Sequence, residues 1–69
     1  MQIESEVTGV VCRIEALPGQ AVAEGDALLF VESMKMEIPI CAERAGTVAE
    51  VMVELGDMVR DGQVVVVLS

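Results

Sequence analysis

The sequence predicts an all-β fold, a flattened barrel or sandwich of two four-stranded antiparallel sheets with quasi-two-fold symmetry. Three observations support this prediction. The glycines recur at a fixed spacing, β-branched residues are abundant between them, and no ten-residue stretch combines a helix cap with an amphipathic helical stripe. With 69 residues, the chain is expected to form a single domain, residues 1–69, near the lower size at which a domain folds alone.

The glycines define an internal repeat. Three of them have a counterpart 37 residues later, which gives the pairs Gly9 and Gly46, Gly19 and Gly56, and Gly25 and Gly62. Glycine often marks backbone positions with positive φ that other residues adopt at a cost. Three matched glycines therefore predict three matched turns. One of these turns is recognisable at Leu17-Pro18-Gly19, where proline and glycine occupy the positions that a type II turn favours.

The strands are expected between these turns. β-Rich residues 10–14 match residues 47–51, and residues 28–31 match residues 65–68, while Val22 and Val59 mark strands of two or three residues. One repeat cannot cover its own apolar face. Two copies can close on each other, which is why we expect a barrel or sandwich.

The same offset predicts where the ends of the chain lie. It maps residues 1–5 onto residues 38–42, and residues 65–69 onto residues 28–32. In the middle of the chain these two strands are joined by a hairpin at residues 33–37. At the equivalent place in the other copy they are the two termini. We therefore expect the termini side by side, with the hairpin at the opposite pole.

Composition excludes several functions. The chain has no histidine and no tryptophan or tyrosine, so no histidine-based catalytic site or metal site is expected, and we predict no enzyme activity. Its formal net charge of −8 argues against nucleic acid as a partner. The charge favours a soluble, monomeric domain, and it is also compatible with attraction to basic faces of partner proteins.

The cysteines and the ends of the chain bear on its compartment. Met1 is followed by polar residues rather than by the pattern of a signal peptide, and Cys12 and Cys41 are the only cysteines. We expect free, packed thiols in a reducing, cytoplasmic location, although a disulfide stays open. The apolar run at residues 64–68 is too short to cross a membrane. The sequence leaves open whether the chain stands alone or is part of a longer polypeptide.

The predicted hairpin at residues 33–37 has unusual turn residues. A tight two-residue turn favours Asn-Gly, Asp-Gly or Gly-Gly, but its centre here is Met34-Lys35. Positive φ at such residues costs about 1–3 kcal/mol, which indicates another reason for their presence. Lys35 is also the only lysine in the chain. The simpler interpretation is a solvated tip that blunts a sheet edge. A functional role is favoured, because Lys35 is the only lysine and lies at one pole of the predicted symmetric fold.

The two methionines beside this lysine favour recognition. Methionine is usually core filler, but Met34 and Met36 cannot both be buried easily at a tight tip. Exposed, they would give a soft contact surface that adapts to several partners.

The segment Glu32-Ser33-Met34-Lys35-Met36-Glu37 resembles the attachment motif of biotinyl domains, commonly Glu-Ala-Met-Lys-Met. Ser33 departs from the commoner alanine, and we expect only a small effect of this difference. Lipoyl domains share the barrel-sandwich hybrid fold but usually carry Asp-Lys-Ala at this tip. The resemblance extends from Ile3 to Leu68 and includes the short biotin/lipoyl attachment proteins of bacteria. The ungapped repeat leaves no room for the protruding thumb of some acetyl-CoA carboxylase carriers.

The resemblance implies a biotin carboxyl carrier. Biotin would be attached covalently to Lys35 by a biotin protein ligase, and its carboxyl group would pass from biotin carboxylase to a carboxyltransferase acting on an acyl-CoA or similar acceptor. Glu32, Ser33 and Glu37 are the candidates for contact with the ligase or other partners. Two alternatives stay open: a lipoyl carrier of a 2-oxoacid dehydrogenase complex, and an unmodified β-sandwich that acts as an adaptor.

Overall fold

A computed structural model describes all residues, 1–69, and contains eight β-strands and no helix. The strands are β1 (Gln2–Glu4), β2 (Gly9–Ile14), β3 (Ala21–Val22), β4 (Ala27–Ser33), β5 (Met36–Cys41), β6 (Gly46–Val51), β7 (Met58–Val59) and β8 (Val64–Leu68). They form two four-stranded antiparallel sheets. We name β5-β4-β2-β7 the hairpin sheet and β1-β8-β6-β3 the terminal sheet. The fold is the predicted sandwich, without closure into a barrel.

The predicted repeat is visible in the backbone. β6 and β7 begin and end 37 residues after β2 and β3, and the two sheets have equivalent strand orders. The hydrogen bonds between the copies are reciprocal: the Gly19 N–H donates to the Val48 oxygen at 2.7 Å, and the Gly56 N–H donates to the Val11 oxygen at 2.8 Å. Each copy thus supplies turns that bond to a strand of the other copy. Neither copy can complete its backbone pairing alone.

Four of the glycines form the predicted turns. Gly19, Gly25, Gly56 and Gly62 have φ between +87° and +90°, and each turn is closed by a backbone hydrogen bond, as from the Gln20 N–H to the Leu17 oxygen at 3.0 Å. The residue after each glycine also accepts a hydrogen bond, through its side chain, from the N–H of the first turn residue. These acceptors are Gln20, Asp26, Asp57 and Gln63.

The prediction of three matched turns was wrong for the remaining pair. Gly9 and Gly46 open strands β2 and β6, and neither has positive φ. They are glycines because another strand passes close by. A Cβ at Gly9 would overlap the Glu32 carbonyl oxygen and lie 2.8 Å from the Val31 side chain, whereas a Cβ at Gly46 would lie 3.0 Å from the Ser69 carbonyl oxygen.

The core lies between the two sheets and is apolar. Its fifteen buried residues are Ile3, Val11, Ala16, Val22, Leu28, Leu29, Val31, Ile40, Ala42, Val48, Val53, Val59, Val65, Val66 and Leu68. Burial of these side chains, at about 25 cal/mol per Å² of apolar surface, is the main driving force for closing the sandwich. Ser5 is the single buried polar residue, and its hydroxyl donates to the Val7 carbonyl oxygen at 2.6 Å.

The termini lie side by side, as the repeat predicts. β1 pairs with β8, and the Met1 carbonyl oxygen accepts a hydrogen bond from the Leu68 N–H at 2.7 Å. The β4–β5 hairpin occupies the equivalent place in the hairpin sheet, at the opposite pole of a molecule 30 Å long and 19 Å wide. Since the structure contains no helix, it contains no helix that could span a membrane.

Candidate functional site

The hairpin ends in a two-residue turn centred on Met34 and Lys35. The pairing of β4 with β5 runs from Ala27 and Cys41 to Ser33 and Met36, so only these two residues are left unpaired. Their φ values are +53° and +66°, and they are the only residues other than glycine with positive φ. Positive φ at both central positions is the signature of a type I′ turn, whose twist matches that of the flanking strands.

The strands on either side hold this turn in place. Leu29 and Val31 of β4 are buried in the core, as is Ile40 of β5, so sliding the register by one residue would expose them. Pro39 has no backbone N–H to donate, but β5 tolerates it because β5 is an edge strand. Long-range packing therefore imposes a conformation that methionine and lysine would not adopt by themselves.

Lys35 is exposed, and its amine takes part in no hydrogen bond and no ion pair. Met34 is 91% exposed and Met36 is 63% exposed. Neither methionine fills the core, and both leave apolar surface in the solvent next to the lysine. A primary amine that is accessible and not engaged elsewhere fits the requirement for forming an amide with a carboxylic acid such as biotin.

The other residues singled out in the sequence lie on the same hairpin. Glu32 and Glu37 are directly opposite each other on β4 and β5, and both are exposed. Like charges directly opposite across two strands are destabilising. Only Glu37 has a basic neighbour, the Arg13 guanidinium, at 3.8 Å from the carboxylate. Ser33 faces Met36 and is half-buried.

Two residues that support the hairpin were missed in the sequence. Arg13 of β2 lies with its guanidinium carbon 4.8 Å from the centre of the Phe30 ring, while it also reaches Glu37. It thus links three neighbouring strands. Gly9 lets β2 approach the carbonyl oxygen of Glu32. One signal was available: Gly9 and Gly46 are the glycines that are not followed by an Asp or Gln acceptor.

The cysteines stand outside the hairpin turn. Cys12 is exposed and its thiol lies 3.4 Å from the Phe30 carbonyl oxygen, whereas Cys41 is half-buried. Neither is part of a disulfide in the structure. The expectation that both thiols are packed was wrong for Cys12, because this residue lies on the exposed side of β2.

The tip of the hairpin offers no enclosed site for a small molecule. The one surface depression, of about 320 Å³, is lined by residues of β3 and of the segments around it, and by none of residues 32–37. Lys35 therefore lies on an exposed tip and not in a pocket.

Comparisons with known proteins agree with this geometry. The family model described as "biotin-requiring enzyme" matches residues 1–68. The biotinylated protein TB7.3 homolog of Mycobacterium leprae is 37% identical over 67 residues, which cover 97% of this chain and 94% of that protein.

Two larger proteins contain a similar segment. The mitochondrial propionyl-CoA carboxylase alpha chain of Homo sapiens is 39% identical over 67 residues, 97% of this chain but 9% of that protein. The crystal structure of Kluyveromyces lactis urea carboxylase matches all of this chain with a TM-score of 0.95 and 33% identity, and the match covers 6% of that protein. The chain belongs to the biotin/lipoyl attachment family, and it is a carrier domain without a catalytic activity of its own.

Proposed function

We propose that Lys35 carries covalently bound biotin and that the chain serves as the carboxyl carrier of a biotin-dependent carboxylase. One observation carries the proposal: the unengaged amine of the only lysine stands at the centre of a tight turn, between two exposed methionines. The similarity to a biotinylated protein and to carboxylase chains supports biotin rather than lipoate as the attached group.

Attachment would be catalysed by a biotin protein ligase that presents biotin as its adenylate. The lone pair of the uncharged Lys35 amine attacks the acyl carbon, an amide C–N bond forms, and the C–O bond to AMP breaks. AMP leaves with the bonding electrons, and the amine nitrogen loses a proton. The modified side chain is uncharged, so the formal net charge of the domain changes from −8 to −9.

The attached biotin would supply a ureido nitrogen that accepts and releases a carboxyl group. The domain contributes geometry. The sandwich places the amide at the tip of the hairpin, beyond the paired ends of β4 and β5, and the lysine side chain extends the reach of the biotin. Tethering in this way raises the effective concentration of biotin at the active sites of a biotin carboxylase and of a carboxyltransferase, with an acyl-CoA as the proposed final acceptor.

The residues around the tip are proposed to contact these enzymes. Met34 and Met36 present apolar surface that can adapt to more than one partner. Glu32, Ser33 and Glu37 are the polar groups nearest the lysine on the two strands. The free thiols of Cys12 and Cys41 support a reducing compartment, for which we propose the cytoplasm.

Intact mass spectrometry after co-expression with a biotin protein ligase tests the proposal. We expect the mass of the wild-type chain to increase by one biotinyl group, and we expect no increase for Lys35→Arg. The matched control is the double variant Lys35→Arg/Arg44→Lys, which places the only lysine on the exposed loop between β5 and β6, outside the hairpin turn. It should stay unmodified, because position in the turn rather than exposure decides modification.

Three results would contradict the proposal. An unmodified wild-type chain beside an active ligase would favour the adaptor alternative. A lipoyl adduct in the presence of both ligases would favour the lipoyl carrier. Biotin on the relocated lysine would show that the hairpin is not the recognised site.

A further inference from the structure

The outer face of the hairpin sheet carries a row of four side chains that crosses all its strands. Met58 of β7 is opposite Val10 of β2, Val10 is opposite Glu32 of β4, and Glu32 is opposite Glu37 of β5. Met58 is 64% exposed and Val10 is 36% exposed. We call these four residues the cross-strand row. It has an apolar half and an acidic half, and its acidic half adjoins the turn of Lys35.

The terminal sheet provides an internal comparison, because its backbone follows the same design. The positions 37 residues away from Met58, Val10 and Glu32 are Ala21, Thr47 and Ser69. The same backbone positions therefore accept small or uncharged side chains in the other sheet. The fold therefore requires neither the exposed apolar pair nor the carboxylate of Glu32. Glu37 has no counterpart in the chain at this offset.

The acidic half also stores an unfavourable interaction. Glu32 and Glu37 face each other, and the single basic neighbour, Arg13, reaches only Glu37. A positive group placed between the two carboxylates would remove this repulsion. The row thus fits a protein surface with an apolar socket beside Arg or Lys side chains.

Building on the proposed function, we propose that the cross-strand row is the docking surface for the biotin carboxylase partner. A ligase must enclose the tip, because the Lys35 nitrogen is its reacting atom. In carboxylation the reacting atom lies at the far end of the arm, so the enzyme must hold the domain by its body. Biotin carboxylase binds ATP and bicarbonate, both anions, and a site for anions carries a positive field that complements Glu32 and Glu37. A carboxyltransferase that binds an acyl-CoA also has a site for an anion, so it is the alternative occupant that the test separates.

The test exchanges the apolar half for the residues of the terminal sheet. The variant Val10→Thr/Met58→Ala is compared with Ala21→Met/Thr47→Val, which makes the reverse exchange on the terminal sheet. Both are first biotinylated completely, as checked by mass, and their folding is checked by thermal unfolding. The readout is the KM and kcat of a purified biotin carboxylase, with each biotinylated chain as its substrate.

We expect the KM for Val10→Thr/Met58→Ala to rise about fivefold or more, because two apolar contacts of an interface are lost, with little change in kcat. The reverse exchange should leave the KM unchanged. An unchanged KM for the first variant, or an equal rise for both variants, would overturn the docking surface. An equal rise in the KM of the ligase, or in the KM of a purified carboxyltransferase for the carboxybiotinylated chain, would also overturn it, by assigning the row to general recognition. Failure of the wild-type chain to become biotinylated would instead refute the proposed function itself.

Discussion

The hairpin pole and the terminal pole occupy equivalent places in two sheets of one design, yet their local packing differs. At the hairpin pole, β2 passes so close to β4 that a Cβ at Gly9 would overlap the Glu32 carbonyl oxygen. At the terminal pole the equivalent Cβ, at Gly46, would lie 3.0 Å from the Ser69 carbonyl oxygen. The strands beside Glu32 therefore approach each other more closely than the equivalent backbone beside Ser69.

The loops that precede these two glycines differ in the same sense. In the loop before Gly9, the Ser5 hydroxyl donates to the Val7 carbonyl oxygen, and the Thr8 hydroxyl oxygen accepts from the Asp61 N–H at 3.1 Å. The equivalent residues of the loop before Gly46 are Ala42 and Ala45, which have no such groups. The repeat supplies the scaffold, and its departures add hydrogen bonds in the loop that leads to Gly9.

Substituting Gly9 and Gly46 should reveal the largest difference in stability between the two poles. We expect Gly9→Ala to lower the free energy of unfolding by about 3 kcal/mol, because the new methyl group meets backbone that cannot move without shifting the hairpin. For Gly46→Ala we expect about 1 kcal/mol, since a small adjustment near the chain end relieves the contact. Urea denaturation of both variants measures the difference. Equal losses would show that the two poles are equally tight.

The second pair of turn glycines should show the opposite, an equal cost at the two poles. Gly25 and Gly62 have φ of +89° and +90°, and a Cβ at either would meet no atom within 4 Å. Only the backbone conformation opposes a side chain there, at about 1–2 kcal/mol for alanine. We expect Gly25→Ala and Gly62→Ala to lower the unfolding free energy by the same amount in urea denaturation. A clear inequality would mean that the repeat is less symmetric energetically than its backbone.

The sequence predicted most of the fold because the repeat is a pattern of residue types along the chain. The offset of 37 residues identified both sheets, four turns and the adjacent termini. It could not separate Gly9 and Gly46 from the turn glycines, because close approach depends on which strand lies alongside. The β-bulges between Val11 and Arg13, and between Val48 and Glu50, were not predicted for the same reason. They are set by pairing between distant segments.

The candidate site divides in a similar way. The turn at Met34 and Lys35 was predictable, since it is local and contains the only lysine. The contacts of Arg13 with Phe30 and Glu37 join three strands that are far apart in sequence, and their register is known only from the structure. The cross-strand row also requires that register. Sequence therefore identified the proposed attachment point, whereas the surrounding surface required three-dimensional pairing.

A substitution in the turn separates the stability of the domain from its recognition by the ligase. Met34 has φ of +53°, and asparagine adopts this conformation at less cost than methionine. We expect Met34→Asn to raise the unfolding free energy by up to about 1 kcal/mol while it lowers the ligase kcat/KM, because an exposed apolar contact is lost. Urea denaturation and biotinylation kinetics on the same variant measure both effects. Faster biotinylation would contradict a recognition role for Met34.

The smallest change in unfolding free energy is expected at Arg13. The equivalent position of the terminal sheet is occupied by Glu50. Arg13→Ala should lower the unfolding free energy by about 0.5–1 kcal/mol. The Glu37 ion pair is 3.8 Å long between side chains that are more than half exposed, so it contributes little and is screened by salt. The contact with the Phe30 ring is screened less, because it is a short-range contact between a cation and a ring that carries no net charge.

Repeating the measurement of Arg13→Ala at high salt separates these two contributions. If most of the loss persists in urea denaturation at high ionic strength, the ring contact is the one that braces β2 against β4. If the loss disappears, the ion pair accounts for it, and Glu37→Gln should then cost less than Arg13→Ala at low salt, because it also removes the repulsion from Glu32. Glu50→Ala is the matched control on the terminal sheet. No ion pair involves Glu50, so its removal should change the unfolding free energy by less than Arg13→Ala does at either salt concentration.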